Sequence, residues 1–179
     1  MNIKIDGSFT DWAAGYEVEG ETSSSEDKIV KMKAVGNSQN MYVYLEIKND
    51  AINYATTREY SNILQLYMSD GTGTSSWSYW KEKFTKSPNI WILENHVLSF
   101  TSFDIANLTS GFALDGDILK VELCIPRSYD SILSADTALI GAIVNTQYVE
   151  SGSWLGSYEA IGVVPAHDST VSMYKVFFQ

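Results

Sequence analysis

Apolar and polar residues alternate with a period of two along most of this chain, and the pattern restricts it to folds built from β-strands. In residues 41–48, for example, Met41, Val43, Leu45 and Ile47 fall on one face. Residues 28–35 and 118–125 repeat the alternation. Successive side chains of a strand point to opposite faces, so each of these segments can bury one face and leave the other polar. We therefore predict a strand at each of them.

Turn residues between the alternating segments predict how the strands pair. Residues 36–40 read G-N-S-Q-N and separate the first two segments, which predicts a hairpin. A second hairpin is predicted around Glu94 and Asn95. Further strands are predicted at residues 63–68, 89–93, 96–101, 138–148 and 171–178, and short helices only at residues 51–60 and 127–133.

This many short strands separated by turns indicates an all-β fold. We predict one antiparallel β-sandwich domain over residues 1–179, with two sheets in a jelly-roll-like or immunoglobulin-like arrangement. In that arrangement Met32 and Met68 belong to the core.

The composition excludes several classes of protein. Hydrophobic residues make up 45% of the chain and charged residues 19%, so a core can form and general disorder is excluded. Twelve Lys and Arg against twenty-two Asp and Glu give a net charge of −10, which argues against a nucleic-acid partner. No apolar segment approaches the roughly 20 residues that cross a bilayer, so we expect no membrane-spanning segment.

The single cysteine and the start of the chain bear on localisation. Cys124 has no partner for an internal disulfide, and a packed thiol is expected. Many Tyr, Ser and Thr residues are typical of exported β-sandwiches. Since strand-like sequence follows Met1 almost at once, we expect a leader to have been removed from a secreted, periplasmic or cell-surface protein.

Four segments carry a resemblance to a known family. Residues 3–12 read I-K-I-D-G-S-F-T-D-W, and residues 40–50 read N-M-Y-V-Y-L-E-I-K-N-D. Residues 63–70 read I-L-Q-L-Y-M-S-D, and residues 116–126 read G-D-I-L-K-V-E-L-C-I-P. In order and spacing they resemble the family 9 carbohydrate-binding modules and their sandwich relatives over roughly residues 3–133. The resemblance implies an antiparallel β-sandwich that is often attached to glycoside hydrolases or to polysaccharide-capture proteins.

The resemblance also implies a binding site in which two tryptophans hold a sugar, because flat aromatic rings stack on the apolar C–H faces of sugars. Gly-, Ser- and Thr-rich segments that we predict to be exposed loops supply the candidates: Trp77, Tyr79, Trp80, Trp154 and Tyr158. Packing of these rings within the protein is the alternative. By contrast, we expect Trp12, in the D-W motif, and Trp91, in a predicted strand, to be core residues.

Family 9 modules often bind structural calcium, and carboxylates near predicted turns are the candidate ligands. These candidates are Asp6, Asp50, Asp70, Asp115 and Asp117. Asp-Gly is also a common hairpin turn, so a purely structural role for Asp115 and Asp117 is the alternative. The dense D-x-D-x-D-G loop of a strong calcium signal is not found in the sequence.

Catalytic and haem-binding alternatives have weaker support. Glycoside hydrolysis needs an acid and a base, which two of the carboxylates Glu46, Glu122 and Asp117 could supply. Nothing in the sequence fixes the distance between them. His96 and His167 lack metal-ligand spacing, and no haem is expected. The sequence therefore predicts a non-catalytic module that binds a poly- or oligosaccharide, and other domains of a larger exported protein are its further candidate partners. The alternative is a structural or protein-interaction sandwich of a surface assembly, with no sugar ligand.

Overall fold

Ten β-strands and three short 3-10 helices make up the part of the chain that the structure describes. The structure is a computed structural model, and it describes residues 3–12, 29–48, 60–69, 89–92, 98–101, 109–129, 131–150, 153–164 and 174–179. The strands are β1 (Ile29–Gly36), β2 (Asn40–Lys48), β3 (Tyr60–Ser69), β4 (Asn89–Ile92), β5 (Leu98–Thr101), β6 (Thr109–Asp115), β7 (Ile118–Pro126), β8 (Thr137–Glu150), β9 (Ser153–Val164) and β10 (Tyr174–Phe177). The 3-10 helices are Phe9–Trp12, Arg127–Tyr129 and Ser131–Ser134.

These strands form two antiparallel sheets. The first has four strands in the order β1-β2-β7-β6. The second has six strands, with β10-β8-β3-β4-β5 in a row and β9 paired to β8. Because β3 occupies one edge of β8 over residues 139–148, β9 and β10 share its other edge. The result is the two-sheet, all-β architecture that the alternation predicts.

The main core lies between the inner faces of the two sheets. On the four-stranded sheet, alternate residues of β2 and β7 are completely or almost completely buried. On the six-stranded sheet the residues of this core are Leu66 and Met68 of β3, the even-numbered residues 138–144 of β8 and Val176 of β10. Leu139 and Gly141, at odd-numbered positions of β8, are buried as well. Even-numbered residues of β8 therefore mark the inner face of this sheet, and odd-numbered residues mark its outer face.

The outer face of the four-stranded sheet carries a second, smaller core. Residues 3–12 pack across it, and Ile3, Trp12 and Tyr44 are buried together. The Trp12 and Tyr44 rings stack with centroids 5.6 Å apart, and the Phe9 ring lies 5.4 Å from that of Tyr44. Trp12 is thus a core residue, as the D-W motif predicts.

Arg127 joins the turn after β7 to the end of the chain. Its guanidinium lies over the Phe178 ring, 4.4 Å from the centroid. The same group donates hydrogen bonds to the carbonyl oxygens of Leu133, Ser134 and Ala135, at 2.6 to 2.9 Å. Phe178 also forms a parallel bridge with Gly36 of β1, so the C-terminus links the two sheets.

Both predicted hairpins are confirmed. β1 pairs with β2 across the G-N-S-Q-N segment, and β4 pairs with β5. The helix signal at residues 127–133 corresponds to two 3-10 turns. The other predicted helix, residues 51–60, lies outside the described residues except for Tyr60, which begins β3.

Candidate functional site

The candidate sugar-binding residues fall into two groups. Trp77, Tyr79 and Trp80 of the mid-chain group lie outside the described residues. Trp154 and Tyr158 of the late group lie on β9, where the backbone pairs with β8. The prediction of an exposed loop for the late group is therefore wrong.

The short connection between β8 and β9 explains this correction. Glu150 pairs with Ser153, so the two strands are separated only by residues 151 and 152. The Gly- and Ser-rich composition marks this connection, whereas Trp154 already belongs to the strand. Aromatic residues such as Trp favour strands, in agreement with its position.

The register places Trp154 and Tyr158 on the outer face of the six-stranded sheet. Trp154 pairs with Val149, and Tyr158 pairs with Gln147. Residues directly opposite each other on paired antiparallel strands share a face, and the odd-numbered residues of β8 belong to the outer face. Both aromatic positions therefore lie on the side of the sheet away from the main core.

Irregular pairing occurs at the same end of the sheet. The β8–β9 register shifts between Val144 and Asn145 and again between Gln147 and Val149. A β-bulge bends the strand locally, strengthens its twist and changes the direction of a side chain. The second shift lies between the pair that Tyr158 forms with Gln147 and the pair that Trp154 forms with Val149.

Trp91, expected in the core, lies on β4, and its pairing aligns it with the odd-numbered residues of β8. It pairs with Ile63 of β3, which in turn pairs with Asn145 of β8. The sequence of a four-residue strand such as β4 does not indicate which of its faces meets the core.

Glu122 is the most constrained carboxylate among the described residues. The sequence predicts it on the polar face of β7, but it is completely buried. Its Oε1 accepts hydrogen bonds from the backbone N–H groups of Asp6 and Gly7, each at 2.7 Å. Its Oε2 accepts a hydrogen bond from the Trp12 indole at 3.2 Å. This carboxylate anchors the N-terminal segment, and a catalytic role does not fit its surroundings.

The other carboxylates considered for catalysis are placed differently. Glu46 accepts a hydrogen bond from the Tyr44 hydroxyl at 2.6 Å. Burial raises the pKa of Tyr44, and the bond to Glu46 raises it further, so this phenol stays protonated. Asp117 lies in the turn between β6 and β7, where Gly116 has a φ of 60°. Left-handed backbone of this kind favours glycine, in agreement with the hairpin-turn alternative.

The predicted calcium ligands do not form a cluster in the described part of the chain. Asp6 Oδ1 accepts a hydrogen bond from the Ser8 N–H at 2.9 Å, and Asp115 forms an ion pair with Lys120 at 2.5 Å. No group of three or more His, Cys, Asp or Glu side chains suited to a metal occurs among the described residues. Asp50 and Asp70 lie outside them. Asp6, Asp115 and Asp117 therefore do not fit a calcium site by themselves.

The remaining candidates from the sequence are two methionines, one cysteine and two histidines. Met32 and Met68 are core residues, as predicted. Cys124 is half-buried, and burial raises the pKa of its thiol while a hydrogen bond with Tyr42 opposes that change. A raised pKa disfavours the thiolate, which is the reactive form of cysteine. His96 and His167 lie outside the described residues.

No protein-family model matches the sequence, and no curated protein matches it. Solved structures do match the fold. One is a family 9 carbohydrate-binding module from Caldicellulosiruptor kristjanssonii in complex with cellotriose, with a TM-score of 0.62 and 14% identity, covering 100% of this chain and 90% of that one. Another is a family 9 module from the same organism in complex with glucose, with a TM-score of 0.55 and 15% identity, covering 100% and 92%.

These similarities confirm the β-sandwich fold that the four sequence segments predict. Identity this low shows a shared fold, and functions are known to differ between proteins of one fold. Of the described residues, no helix is long and apolar enough to cross a membrane.

Proposed function

We propose that this chain is a non-catalytic module that binds a poly- or oligosaccharide. The observation that carries the proposal is the fold that this chain shares over its whole length with a cellotriose-bound module, and the aromatic residues Trp154 and Tyr158 of β9 are among the candidate ligand contacts. Aromatic rings can stack on sugar rings, while amide and hydroxyl groups hydrogen-bond to the sugar hydroxyls.

The surroundings of the carboxylates support binding without catalysis. Glycoside hydrolysis needs two carboxyl groups that face a common substrate. Glu122 is enclosed by three N–H donors of the protein, and Glu46 is bonded to Tyr44. We propose further that the protein is exported to the periplasm or cell surface, where it would meet polysaccharides and other domains of a larger protein.

A glycan array probed with the purified protein, with and without calcium, tests the proposal. Binding to one class of glycan is the expected result. A blank array from protein with a cooperative unfolding transition would contradict it. That result would favour a protein-interaction role, for which the exposed Phe177 of β10, at 59% exposure, offers an apolar contact.

A further inference from the structure

The chain contains three Asp-Gly dipeptides, at residues 6–7, 70–71 and 115–116. We propose that Asp115–Gly116, in the turn between β6 and β7, is a site of spontaneous isoaspartate formation, and that Asp6–Gly7 is protected from the same reaction by its hydrogen bonds. Asp70 and Gly71 lie outside the described residues. The proposal concerns a covalent modification of the chain itself, and it is independent of the proposed function.

Isoaspartate forms at an Asp-Gly dipeptide in two steps. The backbone nitrogen of the glycine attacks Cγ of the aspartate, and the carboxyl OH leaves together with the N–H proton as water. The five-membered succinimide ring that results then takes up one water molecule. When this water cleaves the bond between the ring nitrogen and the main-chain carbonyl carbon, the chain continues through Cγ and the backbone gains one methylene group. The reaction requires no oxidant, reductant or cofactor.

The turn leaves the reacting groups of Asp115–Gly116 accessible. Asp115 pairs with Ile118, so Gly116 and Asp117 form a two-residue turn, and the N–H groups of such turn residues lie outside the ladder of the two strands. Residues 114–117 are all exposed, and the side chain of Asp115 is 69% exposed. Apart from its chain neighbours, no atom lies within 4 Å of the position of a Cβ at Gly116. The attack therefore meets no steric obstacle from the rest of the protein.

The dipeptide Asp6–Gly7 differs from this site in its hydrogen bonds. Gly7 has a φ of 78°, close to the 60° of Gly116, and Asp6 is exposed as well. However, the Gly7 N–H donates to Oε1 of the buried Glu122 at 2.7 Å, and Asp6 Oδ1 accepts the N–H of Ser8 at 2.9 Å. Before it can attack, the Gly7 nitrogen must give up a hydrogen bond to a buried carboxylate, which is unfavourable.

The ion pair with Lys120 does not protect Asp115 to the same degree. Nζ of Lys120 lies 2.5 Å from Oδ2 of Asp115, so an oxygen that leaves must first give up this contact. Exposed ion pairs contribute little, because water competes for both partners. The attacking nitrogen of Gly116 takes no part in the ion pair. We therefore expect Lys120 to slow the reaction without preventing it.

The modification changes the hairpin in which it occurs. A two-residue turn fixes the register of the strands that it joins, and Asp115 and Ile118 form the pair that closes this turn. One added methylene group does not fit that geometry, so we expect the modified chain to lose this pair. Because β6 is the edge strand of the four-stranded sheet, the change should stay local.

Incubation of the full chain for several weeks at neutral pH and physiological temperature, followed by peptide mapping, tests the proposal. Electron-transfer fragmentation distinguishes isoaspartyl from aspartyl residues, so it quantifies the modification at residues 6 and 115 in one sample. In the folded protein we expect about tenfold more isoaspartate at Asp115 than at Asp6, or a larger excess, because Gly7 must break a hydrogen bond to a charged acceptor. In urea, which removes this hydrogen bond, the two sites should react at similar rates.

Asp115→Glu is the matched control. It keeps the negative charge beside Lys120, but its longer side chain cannot close a five-membered ring, so no product is expected at residue 115. Equal amounts of isoaspartate at residues 6 and 115 in the folded protein, or none at residue 115, would overturn the proposal. An excess at residue 115 that persists in urea would also overturn it, because the local sequence and not the fold would then determine the rates.

Discussion

The indole Nε1 of Trp12 donates a hydrogen bond to Oε2 of Glu122 at 3.2 Å, across 110 residues of sequence. Both side chains are buried, and Oε1 of the same carboxylate receives the N–H groups of Asp6 and Gly7. Three residues of the D-G-x-x-x-D-W motif, Asp6, Gly7 and Trp12, therefore have a structural role. Their hydrogen bonds to Glu122 anchor the N-terminal segment on the outer face of the four-stranded sheet.

The first prediction concerns this anchor. Glu122→Ala would leave two backbone donors and one indole donor buried without an acceptor, so we expect a loss of about 3–5 kcal/mol in the free energy of unfolding. Glu122→Gln should cost less, since its carbonyl oxygen can still accept the backbone bonds. Urea denaturation measures both values. A loss below 1 kcal/mol for Glu122→Ala would contradict the anchoring role.

Trp12→Phe in a double-mutant cycle with Glu122→Gln isolates the indole bond. A coupling energy of about 0.5–1.5 kcal/mol is expected for residues in direct contact. Trp12→Ala should cost about 3–5 kcal/mol through loss of packing against Tyr44.

The second prediction concerns Gly111, which pairs with Glu122. A Cβ at this position would lie 2.6 Å from Oε1 of Glu122 and 3.0 Å from the N of Gly7. Gly111→Ala should therefore displace the anchor and destabilise the protein by roughly 2 kcal/mol or more. Gly116→Ala is the control, since no atom lies near its Cβ and only the positive φ is unfavourable, at about 1 kcal/mol. If Gly111→Ala and Gly116→Ala lower the melting temperature equally, the close approach at Gly111 does not affect stability.

The third prediction tests the proposed function at Trp154. Trp154→Ala should abolish retention in affinity electrophoresis through gels containing the glycan identified by array, with a nearly unchanged melting temperature. Phe177→Ala is the matched control. Phe177 is an exposed aromatic residue that pairs with Thr137, at the opposite end of β8, about 40 Å along a strand of 14 residues. Unchanged retention of Trp154→Ala would remove this residue from the site, and an equally large loss of stability would identify it as a packing residue.

The fourth prediction concerns the ion pair between Asp115 and Lys120. The hydrogen bond and positive charge of Lys120 hold the pKa of Asp115 below its usual value. A carboxyl with a lowered pKa in the folded state stabilises the protein above its unfolded pKa, and this contribution disappears as the pH falls through the folded value. Lys120→Met should raise the pKa of Asp115 towards its ordinary range, as measured by carboxyl NMR titration. A titration curve that does not move would show that Lys120 has no influence on Asp115 in solution.

The fifth prediction concerns calcium, which the family resemblance implies. A cation that binds only the folded state stabilises it, so we expect chelation with EDTA to lower the melting temperature and excess calcium to restore it. Because Asp115 is already paired with Lys120, Asp115→Asn should keep this response, whereas Asp50→Asn or Asp70→Asn should weaken it. The absence of any EDTA effect would exclude a stabilising calcium ion.

The alternation of apolar and polar residues by itself determined the strands and much of the core. Val43 and Val121 are buried where the pattern predicts, because the direction of a side chain in a strand depends only on the local backbone. The four motif segments likewise indicated the sandwich fold. Both kinds of information are contained within a few consecutive residues.

Only the tertiary structure decided what covers each face. Glu122 and Lys120 follow the same alternation in β7, yet Glu122 is completely buried because a segment more than 100 residues away packs over it. The pairing of β4 with β3, of β3 with β8 and of β8 with β9 places Trp91 and Trp154 in one sheet, although they are far apart in sequence. Register depends on long-range pairing and on the total burial of both sheets, and no local segment of the sequence contains that information.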